Sequence, residues 1–147
     1  MTFELTIPGP PVGKGSVRVA RAGNRRYYPK TTTQWMANAT DLMRFAHTGP
    51  PMSGPLSLSL VIIKRRPKTR PACVSWPGAR ENWKEGGLLM WCPSTPDASN
   101  VVKAVEDCLT KAGVIEDDRF ICRLTVGKYY AAKGAEPCVK VLVRGIA

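Results

Sequence analysis

The sequence predicts an α+β domain in which two helices pack on a small mixed β-sheet of about four strands. Three observations carry that expectation. Apolar residues alternate with polar ones in segments near both ends and in the middle of the chain, two other segments repeat at helical spacing, and the order reads β-α-β-loop-α-β-β. With 147 residues, 44% of them hydrophobic, the chain is long enough for one core without a disulfide or metal staple, so residues 1–147 are read as one domain.

Phe3-Glu4-Leu5-Thr6-Ile7 alternates at strand spacing, and Pro8-Gly9-Pro10-Pro11 ends it. A basic, glycine-containing loop follows to Lys30, carrying Lys14, Arg18, Arg21, Arg25 and Arg26 beside Tyr27 and Tyr28. Thr31 to Thr33 supply residues that cap a helix running to about His47, with Trp35, Ala39, Leu42, Met43 and Ala46 on one face. Leu56, Leu58, Leu60 and Ile62 mark a strand over 55–64 that runs into the cations Lys64, Arg65, Arg66, Lys68 and Arg70. Residues 71–94 hold three of the four tryptophans and read as a long structured loop with a short strand at Leu88 to Trp91. Val101, Val105, Cys108 and Ala112 predict a helix from Asn100 to Ala112, closed by Gly113. Phe120 to Tyr130 and Cys138 to Arg144 are β-rich and flank Ala132-Lys133-Gly134-Ala135, which predicts a terminal hairpin.

The net charge of +11 lies in one half of the chain. The first 80 residues hold 13 basic and 2 acidic side chains, whereas the remaining residues hold 9 of each. That asymmetry points to a polyanionic partner whose condensed counterions Lys and Arg replace. Lys14, Arg18, Arg25, Arg26, Lys64, Arg65, Arg66, Lys68 and Arg70 are the candidate nucleic-acid contacts. No apolar run approaches the roughly 20 residues a bilayer demands, so no membrane partner is expected and a cytoplasmic location is. Five cysteines without a C-x-x-C pair, and a lone His47, give neither a disulfide framework nor a zinc site. Pro8 to Ser16 superficially suggests a phosphate-binding loop. Pro8 stands where that pattern needs glycine and Gly15 where it needs Ser or Thr, so no nucleotide cofactor is expected.

The stretch Pro96-Asp97-Ala98-Ser99-Asn100-Val101-Val102-Lys103, continuing through Leu109, Ala112-Gly113 and Asp117-Asp118, resembles the RusA-type Holliday-junction resolvases, small phage and bacterial endonucleases that cut four-way DNA junctions. Their signature is D-x-D-N at a helix start, Lys three residues after the Asn, L-x-x-A-G at the helix end and a D-D pair soon after. The resemblance implies a RusA-like fold, a homodimer, junction DNA as partner, and Mg²⁺ as cofactor with Mn²⁺ as a plausible substitute. It assigns Asp97, Lys103 and Asp118 to catalysis, and Asp97 and Asp118 with Asp117 to the metal. Two features depart from the pattern. Ser99 occupies the place of the second motif Asp, and a hydroxyl is a much weaker Mg²⁺ ligand than a carboxylate. The Trp-rich segment 71–94 is also longer than its counterpart.

The chemistry agrees with the motif. Phosphodiester hydrolysis needs an activated water and shielding of phosphoryl charge, which carboxylate-held Mg²⁺ supplies, while Lys103 would neutralise charge on the scissile phosphate. Glu116 or Asp117 could replace the charge lost at Ser99. Asp97 and Asp118 cannot meet along a straight helix of about 20 Å, so a shared site requires the chain after Gly113 to fold back or a second subunit to contribute. Each residue also has a plain structural reading. Asp97 or Ser99 could only cap the helix, Asp117-Asp118 could be a polar turn, and Lys103, Asp107 and Lys111 could pair at i,i+4 on an exposed face. The function expected is a Mg²⁺-dependent, structure-selective endodeoxyribonuclease resolving Holliday junctions by paired nicks in recombination and repair. The alternatives are a junction-binding protein without nuclease activity, which Ser99 favours, and a basic RNA-binding module.

Overall fold

The structure is a computed structural model and describes residues 1–15, 17–69, 71 and 90–147. Its main sheet is built from β1 (Thr2–Pro8), β4 (Leu56–Lys64), β5 (Met90–Trp91), β6 (Ile121–Tyr130) and β7 (Cys138–Gly145), in the order β1-β7-β4-β6-β5. A separate two-stranded ribbon pairs β2 (Arg18–Val19) with β3 (Arg26–Tyr27). Two helices, α1 (Lys30–Ala46) and α2 (Ala98–Lys111), pack against each other and against one face of the main sheet. The expected α+β architecture is therefore present, and the sheet is mixed because β4 runs parallel to β6 while its other neighbour, β7, is antiparallel.

Strand β4 takes the centre because its alternate residues Leu56, Leu58, Leu60 and Ile62 are buried against the helices. They meet Val139, Val141 and Val143 of β7, Phe3 and Ile7 of β1, Trp35, Met36, Ala39 and Met43 of α1, and Val101, Val105, Cys108 and Leu109 of α2. Each of the buried Val, Leu, Ile, Phe and Met side chains among them stabilises the fold by roughly 1.5–3 kcal/mol through the apolar surface it removes from water. The opposite face of the sheet carries Glu4, Ser59, Thr125 and Lys140 and is the more open one.

Three local expectations are corrected. The last two strands do not form a hairpin: β4 lies between them. Residues 131–137 carry the chain past the end of β4, where the Ala131 N–H donates to the Lys64 carbonyl (2.7 Å), because the doubly flanked apolar strand β4 outcompetes the turn signal for the central place. Helix α1 begins one residue before the threonines, with Pro29 at the cap position and no side-chain cap. Thr32 and Thr33 instead donate their N–H groups to the Pro29 carbonyl, and the Thr33 hydroxyl donates to the Lys30 carbonyl. The basic loop is ordered in part as the β2–β3 ribbon, with Arg18 opposite Tyr27. Of the short strand expected at Leu88 to Trp91, Met90–Trp91 is present and pairs with β6, while Leu88, Leu89 and most of the rest of the Trp-rich segment lie outside the described residues.

Candidate active site

Helix α2 has two faces set by its sequence. Val101, Val105, Cys108 and Leu109 are buried in the core, while Asn100, Lys103, Glu106 and Asp107 line a cleft of about 370 Å³ together with Lys14, Tyr28 and Asp118. The far wall comes from the basic segment. Gly13 lets that segment close on α2, since a Cβ there would stand 2.9 Å from the Asn100 Cβ and 3.2 Å from the Pro96 Cβ. The next residue, Lys14, donates its backbone N–H to the Asn100 carbonyl (2.8 Å).

The opposite end of α2 supplies the reversal that the sequence required. Gly113 adopts φ +74°, the left-handed conformation glycine takes at no steric cost, and the N–H groups of Val114 and Ile115 turn back onto the Leu109 carbonyl. Met52 then clamps the returning strand, donating to the Val114 carbonyl (2.8 Å) and accepting from the Glu116 N–H (3.0 Å). A 3-10 turn over Asp118–Phe120 follows, and Asp118 enters the same cleft as Asn100, Lys103 and Glu106. The chain thus folds back along α2 and brings Asp118, but not Asp97, into the lining of this cleft.

Charge in the cleft is crowded. Burial holds the Glu106 carboxyl above the usual carboxylate range, and the negative charges of Asp118 and Asp107 push it further up. Asp107 is paired with the Lys14 ammonium, which also stands 5.2 Å over the Tyr28 ring, and the hydrogen bond to Asp107 raises the Lys14 pKa. The expected i,i+4 pairing of Asp107 with Lys103 and Lys111 gives way to this long-range partner.

The other sequence candidates are distributed as follows. Asp97 occupies the cap position of α2, is exposed, and makes no capping hydrogen bond with its side chain, so its carboxylate is not spent on the helix end. It sits one turn before Asn100, about 4.5 Å along the axis, and does not itself line the cleft. Ser99 is exposed in the first turn. Asp117 caps the 3-10 turn, accepting the Arg119 N–H (2.9 Å) and lying 3.7 Å from the Arg119 Nε. Arg18, Arg25 and Arg26 are exposed on the ribbon, whose base borders the cleft at Gly15, Val17 and Tyr28. Lys64 turns its ammonium to Ser94 and Thr95, Arg65 pairs with Glu136 (3.7 Å), Lys68 is exposed, Arg66 is partly exposed, and Arg70 lies outside the described residues.

The sequence profile of the endodeoxyribonuclease RusA family matches residues 8–144. The chain belongs to the RusA endodeoxyribonuclease family. Its enzymes are Holliday-junction resolvases that hydrolyse phosphodiester bonds, and DNA is accordingly the substrate. No individually curated protein matches the chain. Among the described residues no helix is long and apolar enough to cross a membrane.

RusA-family nucleases are generally dependent on a divalent metal. Among the described residues no three His, Cys, Asp or Glu side chains form a closed ligand cluster. A hard cation that retains several waters does not need one, since one or two carboxylates and the substrate phosphate suffice. Asp118 and Glu106 fit that requirement, being hard oxygen donors in one polar cleft whose mutual repulsion a cation relieves. Glu106 was not singled out by the motif, yet its spacing of three from Lys103 and six from Asn100 places it on their face of the helix.

Proposed function

We propose that this RusA-family enzyme is a Mg²⁺-dependent, structure-selective endonuclease that resolves a Holliday junction by paired nicks as a C2 homodimer. The observation that carries the reading is the return of the chain after Gly113, which sets Asp118 in the cleft lined by Asn100 and Lys103 of α2. Asp97 and Asp118 hold the metal, and Glu106 supplies the additional carboxylate that Ser99 lacks. It is better placed for this than Glu116, which is exposed on the returning strand, or Asp117, which is occupied by its own turn. When bound, the divalent ion lowers the pKa of the attacking water and shields charge on the phosphoryl oxygens.

The remaining steps belong to the chain's own residues. Lys103 neutralises charge developing on the scissile phosphate. The exposed arginines of the ribbon, with Arg65, Arg66 and Lys68 at the end of β4, grip the junction arms through their phosphates. Two opposed cuts in a nearly two-fold substrate match a two-fold symmetric pair of sites.

Asp97→Asn and Asp118→Asn test the reading. Each should abolish Mg²⁺-dependent junction cleavage, by about 10³-fold or more, while junction affinity in EDTA and the Tm stay near those of the wild-type chain. Simultaneous loss of binding and fold would assign these residues a structural role instead.

A further inference from the structure

The apolar stripe of two neighbouring strands ends in polar heads. In β4 the run Leu58, Leu60, Ile62 is followed at the next same-face position by Lys64, and in β6 Val126 is followed by Lys128 and Tyr130. The parallel register sets Ile62 opposite Lys128 and Lys64 opposite Tyr130, so all three polar heads lie on the helix-bearing face at one end of the sheet. They converge on the turn that leads into α2. Lys128 Nζ donates to the carbonyls of Ser94 (2.6 Å) and Pro96 (2.8 Å). Lys64 Nζ donates to the Thr95 carbonyl (2.6 Å) and to Ser94 Oγ (3.0 Å), which also accepts from the Tyr130 hydroxyl (3.2 Å).

Neither ammonium forms an ion pair with a carboxylate among the described residues. Two partly buried cations are therefore devoted to neutral acceptors on three successive residues, Ser94, Thr95 and Pro96. Such charge-assisted bonds are about twice as strong as neutral ones. The next residue is Asp97, whose side chain makes no capping bond of its own, so the placement of its carboxylate follows the backbone that the two lysines fix.

We propose that Lys128, assisted by Lys64, is a positioning residue for Asp97: it fixes the Ser94–Pro96 turn and thereby the backbone from which the Asp97 carboxylate would bind the metal. The inference rests on the reading of Asp97 as a metal-holding carboxylate. It also reassigns Lys64, a cation expected on the DNA-binding surface, to the interior of the site.

The test compares Lys128→Met, Lys128→Arg, Lys64→Met and Asp97→Asn with the wild-type chain. Single-turnover junction cleavage, Mn²⁺ affinity by electron paramagnetic resonance without DNA, junction affinity in EDTA, and Tm are measured for each. Lys128→Met is expected to lose about 10- to 100-fold in both cleavage rate and Mn²⁺ affinity, as removal of outer-shell partners of a metal site does. Its junction affinity should stay within about twofold, with a smaller loss in Lys64→Met and recovery of most of the rate in Lys128→Arg. If Asp97→Asn is inactive while Lys128→Met keeps wild-type rate and Mn²⁺ affinity, the inference is overturned and the reading of Asp97 stands. If Asp97→Asn itself keeps both, that reading fails and the inference with it. Collapse of the fold in both lysine-to-methionine variants would overturn the inference by assigning the lysines to the sheet rather than the site.

Discussion

Lys14 and Asp107, 93 residues apart in the chain, form an ion pair across the cleft and tie the basic ribbon to α2. One partner belongs to the basic segment proposed to meet DNA phosphates and the other to the cleft-lining face of α2 that also carries Glu106, so the contact fixes these two walls of the cleft relative to each other.

Breaking this tie with Asp107→Asn should cost little stability, about 0.2–1 kcal/mol for a partly exposed pair. The larger effect is expected in the ribbon, which should become more sensitive to limited proteolysis after Arg18, Arg25 and Arg26. The Lys14 pKa is raised in the folded state by its bond to Asp107, so its stabilisation is complete below the ordinary lysine value of 10.5 and is lost as pH rises through the higher folded value. The Tm difference between the two proteins should accordingly be flat from pH 7 to 9 and shrink only in strong alkali, as thermal melts in that series would show.

Glu106 titrates with the opposite consequence for neutral pH. Burial, and then the charges of Asp118 and Asp107, raise its folded pKa, so its contribution to stability is greatest below its unfolded value of 4.5 and is lost as pH rises through the folded value. In EDTA, Glu106→Gln should melt higher than the wild-type chain at pH 7.5, with the gap closing as pH falls below 4.5. Mg²⁺ should raise the wild-type Tm more than that of Glu106→Gln, because the ion relieves a repulsion that the variant lacks.

Ser99→Asp restores the missing carboxylate at an exposed position in the first turn of α2. A negative charge there also suits the helix N-terminus by about 0.3–1 kcal/mol. The variant is expected to bind Mn²⁺ more tightly and to reach half-maximal cleavage at lower Mg²⁺, with no loss of Tm; a metal titration of both proteins checks this.

Junction binding should weaken steeply with salt. With six or more phosphates contacted by the ribbon and the end of β4, affinity is expected to fall by about 10³-fold or more between 50 and 200 mM salt, measured by fluorescence anisotropy in EDTA. Replacing Arg25 and Arg26 together should lower the slope of log affinity against log salt by about 2.

The α+β class and the principal elements were legible in the sequence, because the buried stripes of β4, α1 and α2 follow simple periods of 2 and 3.6. Strand order was not, since the same β-rich pair reads as a hairpin locally, and only the competition of β4 for the central position decides against it. At the site, Asp118 was visible as one of an acidic pair, and Gly113 as the helix stop. The Lys14–Asp107 pair was hidden because nothing local links residues so far apart, and Asp107 has nearer lysines at helical spacing. The interior role of Lys64 was hidden within a run of five cations, although its even spacing from Leu56 to Ile62 marks it as a same-face residue.

The most direct test of the central claim is incubation of the purified protein with a labelled four-way junction and a matching linear duplex, each with Mg²⁺ and with EDTA. Symmetrically paired nicks in the junction alone, present with Mg²⁺ and absent with EDTA and in Asp118→Asn, are the predicted result. Tight junction binding without cleavage under any of these conditions, or cleavage unaffected by EDTA and by Asp118→Asn, would contradict it.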